Sequence, residues 1–227
     1  MFGDTLSAAF FFTFRHKMVL FRATIVPISI AVFLELTSVE LQNEIFDWVA
    51  VFINTLLSAI IAINVHRIVL HGEHSVPKWG RFTIGRIEIW FFVHYLSLWM
   101  GFYVVFLLFP LLGAAVLILG IVMAVIACRL CIVFPAISLG KGVSFPYAWK
   151  LTKKNTLYML CVVAITPIVF ALMFIPLALL ALPAVIFSFV NYIVMVLAVI
   201  ALSFAYQKLT EEPEPFDKAP LDKVAEE

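Results

Sequence analysis

Long, uninterrupted apolar runs dominate the pattern of hydrophobic and polar positions along this chain. Each is close to or longer than the roughly 20 residues that an α-helix needs to cross the hydrocarbon core of a bilayer. The pattern predicts six spans, at about residues 18–36, 46–66, 88–109, 112–134, 157–180 and 184–206. Because the runs do not alternate between apolar and polar positions, a transmembrane β-barrel is excluded. The sequence therefore predicts an all-α, polytopic membrane protein with six transmembrane helices.

The segments between the runs differ in charge according to the side on which they fall. The turns after the first, third and fifth spans are short or acidic, and residues 37–47 contain Glu40, Glu44 and Asp47 but no basic residue. Placing these turns on one side of the membrane puts all 15 Lys and Arg residues on the other. Since basic loops are retained in the cytoplasm, we expect a basic cytoplasmic face and cytoplasmic N- and C-termini.

Two connecting segments begin with the same helix-start signal. Ser75-Val76-Pro77 and Ser144-Phe145-Pro146 each place a serine before a proline, which satisfies the first free N–H groups of a helix. Tryptophan and basic residues follow in both copies, and the candidates for contact with lipid are Trp79, Trp149, Lys150, Lys153 and Lys154. Tryptophan at headgroup level and lysine near anionic lipid are typical of an interfacial helix. The sequence thus predicts three hairpins, each preceded by a short cytoplasmic interfacial helix, at residues 2–17, 77–87 and 145–156.

This recurrence predicts three repeat units in a single membrane domain, residues 1–206. The units cover about residues 1–70, 71–135 and 136–206, and we expect an axis along the membrane normal to relate them, since each enters from the same side. A signal peptide is the competing interpretation of the N-terminal segment, but no small-residue cleavage site follows the first apolar run. The acidic, proline-containing segment 207–227 is predicted to be a disordered cytoplasmic tail.

Composition agrees with the membrane assignment. The chain is 64% hydrophobic and 13% charged, whereas soluble domains are about half apolar and a quarter charged. Its three cysteines provide no even disulfide framework. Cys128 and Cys131 are predicted to lie at the cytoplasmic end of a helix, in a reducing compartment where a structural disulfide is not expected.

The central stretch of the chain resembles a known group of proteins. Arg129, then Phe134-Pro135-Ala136, then Ala148-Trp149-Lys150-Leu151-Thr152 with Asn155, is similar to bacterial six-span inner-membrane proteins. That group includes the YciC type and the membrane domain attached to some glycerophosphodiester phosphodiesterases, and the similarity in topology covers nearly the whole chain. The resemblance implies a multi-pass protein of the bacterial inner membrane with no established common activity. It does not imply phosphodiesterase activity, because that chemistry belongs to a separate soluble domain.

Three cations are predicted to occupy corresponding helix ends. They are Arg67, Arg129 and Lys208, which end the second, fourth and sixth spans. One interpretation is that they extend to lipid phosphate at the membrane surface; the other is a functional cation cluster between the hairpins. We expect Arg129 to tie the helix at residues 145–156 to the bundle, with Thr152 and Asn155 as its nearest polar partners.

Histidines inside or near the spans need a separate interpretation, because polar groups in a membrane are the usual functional candidates. His94 is predicted to be a buried, hydrogen-bonded residue rather than a proton relay or metal ligand, since no second histidine lies four residues away. The group His66, His71, Glu73 and His74 matches no known ligand spacing. We therefore expect neither a metal nor another cofactor.

No enzyme motif is found in the sequence, which contains no P-loop, dinucleotide fingerprint, nucleophile elbow or metalloprotease helix. No catalytic residue is predicted, and we favour a non-enzymatic membrane protein that organises lipid or partner proteins through its basic cytoplasmic face. The expected partners are anionic lipid headgroups and a membrane protein or a second copy, but not nucleic acid. The alternative is a small permease or lipid-handling transporter, because Pro27, Pro167 and Pro176 are breaks that can expose backbone within spans.

Overall fold

Helices form every regular element in the part of the chain that the structure, a computed structural model, describes, namely residues 1–178, 180 and 182–210. Five helical stretches are long and apolar enough to cross a membrane: Lys17–Leu41, Glu44–His71, Arg86–Leu111, Ala115–Ser138 and Ala184–Thr210. A sixth candidate is the pair Phe145–Leu151 and Thr156–Leu172, whose helices are bent by 116° relative to each other. The predicted all-α class is confirmed, with five or six helices able to span.

The bounds of the individual elements show where these stretches bend. The helices are α1 (Phe2–Arg15), α2 (Lys17–Leu41), α3 (Glu44–His71), α4 (Arg86–Leu107), α5 (Phe109–Leu112), α6 (Ala115–Leu130), α7 (Val133–Ser138), α8 (Phe145–Leu151), α9 (Thr156–Leu160), a π-helix (Cys161–Ile165), α10 (Thr166–Leu172), α11 (Ile175–Ala178) and α12 (Ala184–Thr210), with a 3-10 turn at Glu73–Ser75. α2 packs against α3, α4 against α6, and α10 against α12.

The α2–α3 turn illustrates how the sequence sets helix ends. Gln42 adopts a left-handed conformation, with φ of +47°, and ends α2. The side-chain oxygen of Asn43 then accepts hydrogen bonds from the backbone N–H groups of Ile45 and Phe46 at 3.0 and 3.1 Å, which caps α3. This tight connection brings the two long helices together as neighbours.

Within the described residues, the core consists of two apolar clusters that share α3 and α12. The first cluster joins α1, α2, α3 and α12, and the second joins α3 to α4, α7, α8, α9 and α12. Large apolar side chains remain exposed on the outer faces of the spans, among them Phe33, Trp48, Phe106 and Ile118. Exposed apolar surface of this extent is not expected in water, and this supports the assignment as a membrane protein.

The predicted interfacial helix at residues 77–87 is wrong. The chain makes a turn that is closed by a 2.8 Å hydrogen bond from the Gly80 N–H to the Pro77 carbonyl, and α4 begins only at Arg86. Gly80 has a φ of +88°, and a Cβ atom there would lie 2.6 Å from the carbonyl oxygen of Ala23. The side chain of Asn64 also binds the backbone of Arg81, accepting from its N–H at 3.1 Å and donating to its carbonyl at 3.4 Å. The segment is therefore held against α2 and α3 in a conformation that a helix cannot adopt.

The segment 145–156 contains a helix, as predicted, but the helix is shorter than expected. It is α8, which ends at Leu151, and a turn through Asn155 leads into α9. The predicted N-terminal helix at residues 2–17 is present as α1, and a break at His16 separates it from α2.

The predicted fifth span is broken into several pieces. Pro167 lies in the first turn of α10, immediately after the π-helix. A proline lacks the N–H that an α-helix requires and clashes with the carbonyl four residues earlier. The wider π turn accommodates both effects.

Two predicted ends also need correction. The fourth span continues past residue 134 through α7 to Ser138, after a turn at Cys131 and Ile132. α12 continues to Thr210, so residues 207–210 of the predicted tail are helical, and Gln207 is buried. The remainder of the predicted disordered tail lies outside the described residues.

Candidate functional site

The residues predicted to contact lipid lie at one end of the bundle, which we call the basic end. It comprises α1, α8 with the turn that follows it, the starts of α2 and α4, the C-terminal ends of α3, α6, α7 and α12, and the connecting segments 72–85 and 139–144. α1 packs on α12, while α7 packs on α3, α8 and α12, so these parts adjoin one another. The site is therefore built from elements that are far apart in sequence.

Arg129 joins α6 to α8. Its Nη2 donates to the Trp149 carbonyl at 2.8 Å, and its Nε donates to Oγ1 of Thr152 at 3.2 Å. Its guanidinium carbon lies 3.6 Å from the centroid of the Trp149 ring, which adds a cation–π contact. A cation at the C-terminal end of a helix also meets carbonyl groups that have no partner within the helix. Thr152 is the partner named from the sequence, whereas Asn155 bonds through its backbone to Thr152 and Met159.

Arg67 makes the corresponding contact at the end of α3, but with a different kind of partner. Its Nε donates to the carbonyl of Ser138 at 2.8 Å, at the C-terminal end of α7. The Ser138 side chain is buried and donates to the Pro135 carbonyl at 2.6 Å. Arg67 thus links the second and fourth apolar runs.

Lys208, in the last turn of α12, contacts the first turn of α1. Its Nζ donates to the Asp4 carboxylate at 3.2 Å, and the Met1 ammonium group lies 2.9 Å from the same oxygen. Hydrogen bonds and charge from the Met1 and Lys208 ammonium groups lower the pKa of Asp4. The ion pair is therefore present at neutral pH and is lost only when the pH falls through this lowered pKa. Since the pair is exposed, its contribution to stability is small.

The three cations are separate links and not a cluster around shared partners. In the described residues Arg67 binds α7, Arg129 binds α8 and Lys208 binds α1. Two of these partners are helices predicted to precede hairpins. The contact of Arg67 differs, because the segment at residues 77–87, which is predicted to precede the second hairpin, is not helical. Asn64 holds that segment, and Arg67 binds α7 instead.

The other candidates for lipid contact lie on the surface of the basic end. Trp79 is 55% exposed and Trp149 is 42% exposed, although Trp149 also contacts Arg129. Exposed ammonium groups extend from α8 and the turn that follows it, on Lys150, Lys153 and Lys154. These groups are available to a lipid surface or to a partner.

His94 lies inside the bundle, between two aromatic rings. It is buried, and its Nδ1 donates to the Trp90 carbonyl at 2.9 Å. The ring centroids of Trp90 and Phe145 each lie 4.7 Å from that of His94. Because Phe145 begins α8, His94 supports the position of that helix.

Several polar contacts of the bundle were not predicted. Nδ1 of His66 lies 2.7 Å from Oγ of Ser203, and Nδ1 of His16 lies 2.5 Å from a Glu73 oxygen. Lys141 donates to the Tyr206 hydroxyl at 2.9 Å. His66 and Glu73 thus have different partners, and within the residues described no three His, Cys, Asp or Glu side chains gather in a metal-like group. These partners are distant in sequence, so no local pattern indicates them.

The fold and the apolar outer surface define an all-helical membrane protein. No family model, curated protein or solved structure matches this chain. The resemblance to bacterial six-span inner-membrane proteins therefore stays a prediction, and it rests on the residues around Arg129 and Trp149.

Proposed function

We propose that the protein is a non-enzymatic component of the bacterial inner membrane that organises anionic lipid or a partner protein through its basic end. The partner is another membrane protein or a second copy of this chain. The observation that carries the proposal is the attachment of α8. Arg129 binds the end of this helix through two hydrogen bonds and the Trp149 ring, while Lys150, Lys153 and Lys154 remain exposed. A rigidly held cationic surface is suited to recognise anionic groups.

The bend after α8 supports this orientation. If the helices from Thr156 to Leu172 cross the membrane, a helix bent by 116° from them runs close to the membrane plane. Trp149 then lies at headgroup depth and the ammonium groups face anionic lipid. The one-sided distribution of basic residues favours the cytoplasmic leaflet and cytoplasmic termini.

The same proposal includes three hairpins, α2–α3, α4–α6 and α9/α10–α12. Packing within each pair supports this division. α1 and α8 precede the first and third hairpins, and the segment pinned at Gly80 precedes the second. The repeat units 1–70, 71–135 and 136–206, related by an axis along the membrane normal, are part of the proposal.

Removing the exposed charges of α8 and its following turn is expected to reduce the preference for anionic lipid. Each lysine near an anionic surface contributes about 1 kcal/mol, which corresponds to a factor of about five in affinity. The variant Lys150→Gln/Lys153→Gln/Lys154→Gln should therefore lose at least the factor of about five that one lysine supplies in the ratio of bound phosphatidylglycerol to phosphatidylcholine. Native mass spectrometry of the full chain from mixed-lipid nanodiscs measures this ratio. The variant with arginine at all three positions is the matched control and should retain it. An unchanged ratio in the glutamine variant would count against the proposal.

A permease or lipid-handling role is the second candidate, and the broken fifth span favours it. The π-helix lies beside an apolar cavity of about 300 Å³, whose lining includes Tyr95, Cys128, Phe134 and Val163. A cavity next to an irregular helix provides space for an apolar chain. Transbilayer movement of fluorescent phosphatidylglycerol in proteoliposomes tests this role, and movement no faster than in protein-free vesicles would reject it for that lipid.

A further inference from the structure

Two cavities that are each lined by two cationic side chains occupy corresponding places at the basic end. The first has a volume of about 460 Å³ and lies between the start of α4 and segment 139–144, where Arg86 and Lys141 line it. The second, of about 370 Å³, lies between α2 and segment 72–85, where Arg22 and Lys78 line it. Each cavity therefore combines an arginine from the first helix of a proposed hairpin with a lysine from the connection after the second. Their volumes fall within the range of about 300–1,000 Å³ typical of small-molecule sites.

The charges of the first cavity suit a phosphate group. None of the described residues that line it is acidic, and two cationic side chains meet there. The Arg86 side chain is exposed and makes no ion pair or side-chain hydrogen bond with the part of the chain that is described. Its guanidinium group can therefore present two parallel N–H donors to phosphate oxygens. The nearby Glu88 carboxylate is buried instead, where it accepts the Gly85 N–H at 3.0 Å.

The wall opposite Arg86 is fixed by contacts with other helices. The indole N–H of Trp90 donates to the Val143 carbonyl at 2.9 Å, and Lys141 donates to the Tyr206 hydroxyl at 2.9 Å. Gly140 adopts a φ of +77° and turns the chain at the start of this wall. The ammonium group of Lys141 and the backbone of this wall are thus held in place before a ligand arrives, which lowers the entropic cost of binding.

Among the described residues, the lining of the second cavity includes a carboxylate and that of the first does not. This carboxylate belongs to Glu73 and lies 2.5 Å from His16 Nδ1. The negative charge of Glu73 offsets the positive charges of Arg22 and Lys78, so the second cavity is less favourable for an anion. The first cavity is therefore the stronger candidate.

We propose that the cavity between α4 and segment 139–144 binds a phosphate group between Arg86 and Lys141. A lipid headgroup or free phosphate can supply this chemistry. The lipid is favoured because Trp90, which also lines the cavity, is 41% exposed next to an apolar span. This inference rests on the proposed function, since it requires the basic end to meet a membrane surface, and it specifies where one headgroup is held.

Loss of the Arg86 charge is expected to weaken binding of short-chain phosphatidylglycerol. The melting temperature of the full-length protein in a neutral detergent is measured during titration with this lipid, and separately with inorganic phosphate. Arg86→Gln should raise the half-saturating lipid concentration at least about tenfold. Arg15→Gln removes an equal charge from the exposed end of α1, outside both the cavity and the cationic surface of α8, and should change it by less than about twofold. Arg86→Lys retains the charge, and its half-saturating lipid concentration should lie between those of the wild type and Arg86→Gln.

The outcomes separate the cavity from the general lipid preference. Equal half-saturating concentrations for the wild type and Arg86→Gln would overturn the site, while the lysine variants of α8 still test the proposed function by themselves. A loss in Arg86→Lys as large as in Arg86→Gln would also overturn a site based on charge. Saturation by inorganic phosphate at the same concentrations as the lipid, lost in Arg86→Gln, would support the site and identify free phosphate as the source.

Discussion

Arg129→Leu is expected to lower the free energy of unfolding by about 1–3 kcal/mol, the cost of leaving a polar partner unsatisfied. Leucine cannot replace the hydrogen bond to the Trp149 carbonyl or the cation–π contact with its ring. α8 should then detach more often from the bundle. The melting temperature in detergent should fall, and trypsin should cleave faster after Lys150.

Arg129→Lys is the matched control. It keeps the positive charge but cannot reproduce the two-point contact with Trp149 and Thr152, so we expect an intermediate melting temperature. If Arg129 only extends to lipid phosphate, Arg129→Leu should instead retain its melting temperature and its cleavage pattern in detergent. That result would contradict the role of Arg129 as a link to α8.

Gly80→Ala is expected to lower the free energy of unfolding at least as much as Arg129→Leu does. The left-handed conformation of Gly80 costs an L-residue about 1–2 kcal/mol. In addition, the new Cβ would lie 2.6 Å from the backbone oxygen of Ala23 and 3.1 Å from the Asn64 side chain. The segment must move to relieve this overlap, which strains or breaks the hydrogen bonds between Asn64 and Arg81. Thermal and chemical denaturation in detergent measure the loss.

Alanine substitutions at two other glycines distinguish the cost of the backbone conformation from the cost of the steric overlap. Gly72 has a φ of +87°, but a Cβ atom there would have no neighbouring atom within 4 Å, so Gly72→Ala should show the backbone cost alone. Gly120 lies within α6 with the same open space, and alanine there should be neutral or slightly stabilising. The expected order of destabilisation is Gly80→Ala, Gly72→Ala, Gly120→Ala. Equal losses at Gly80 and Gly72 would contradict the close packing of segment 72–85 on α2.

The sequence predicts those helices whose position depends mainly on neighbouring residues. The apolar runs indicated the long helices, and Ser144-Phe145-Pro146 correctly indicated the start of α8. The same signal at Ser75-Val76-Pro77 failed, because the following residues are held by Ala23 and Asn64 on other helices. Pro167 was visible as a break, but its accommodation by a π-helix depends on the surrounding packing.

In the candidate site, too, contacts between residues near in sequence can be predicted, whereas contacts between distant residues cannot. Arg129 and Thr152 are separated by 23 positions and flank a single connection, so their contact could be predicted. Arg67 and Ser138 are 71 positions apart, and Lys208 and Asp4 are 204 apart. These contacts depend on how the helices pack around α3 and α12, which no pattern in one sequence specifies.

We propose that the basic end faces the cytoplasm. Single cysteines at Glu40 and Lys153, two exposed positions in α2 and after α8, test it in a variant whose three native cysteines are replaced by serine. In spheroplasts of a bacterial expression host, a membrane-impermeant maleimide should label Glu40→Cys in intact cells and Lys153→Cys only after permeabilisation. Labelling of Lys153→Cys in intact spheroplasts, with Glu40→Cys protected until they are opened, would contradict the account.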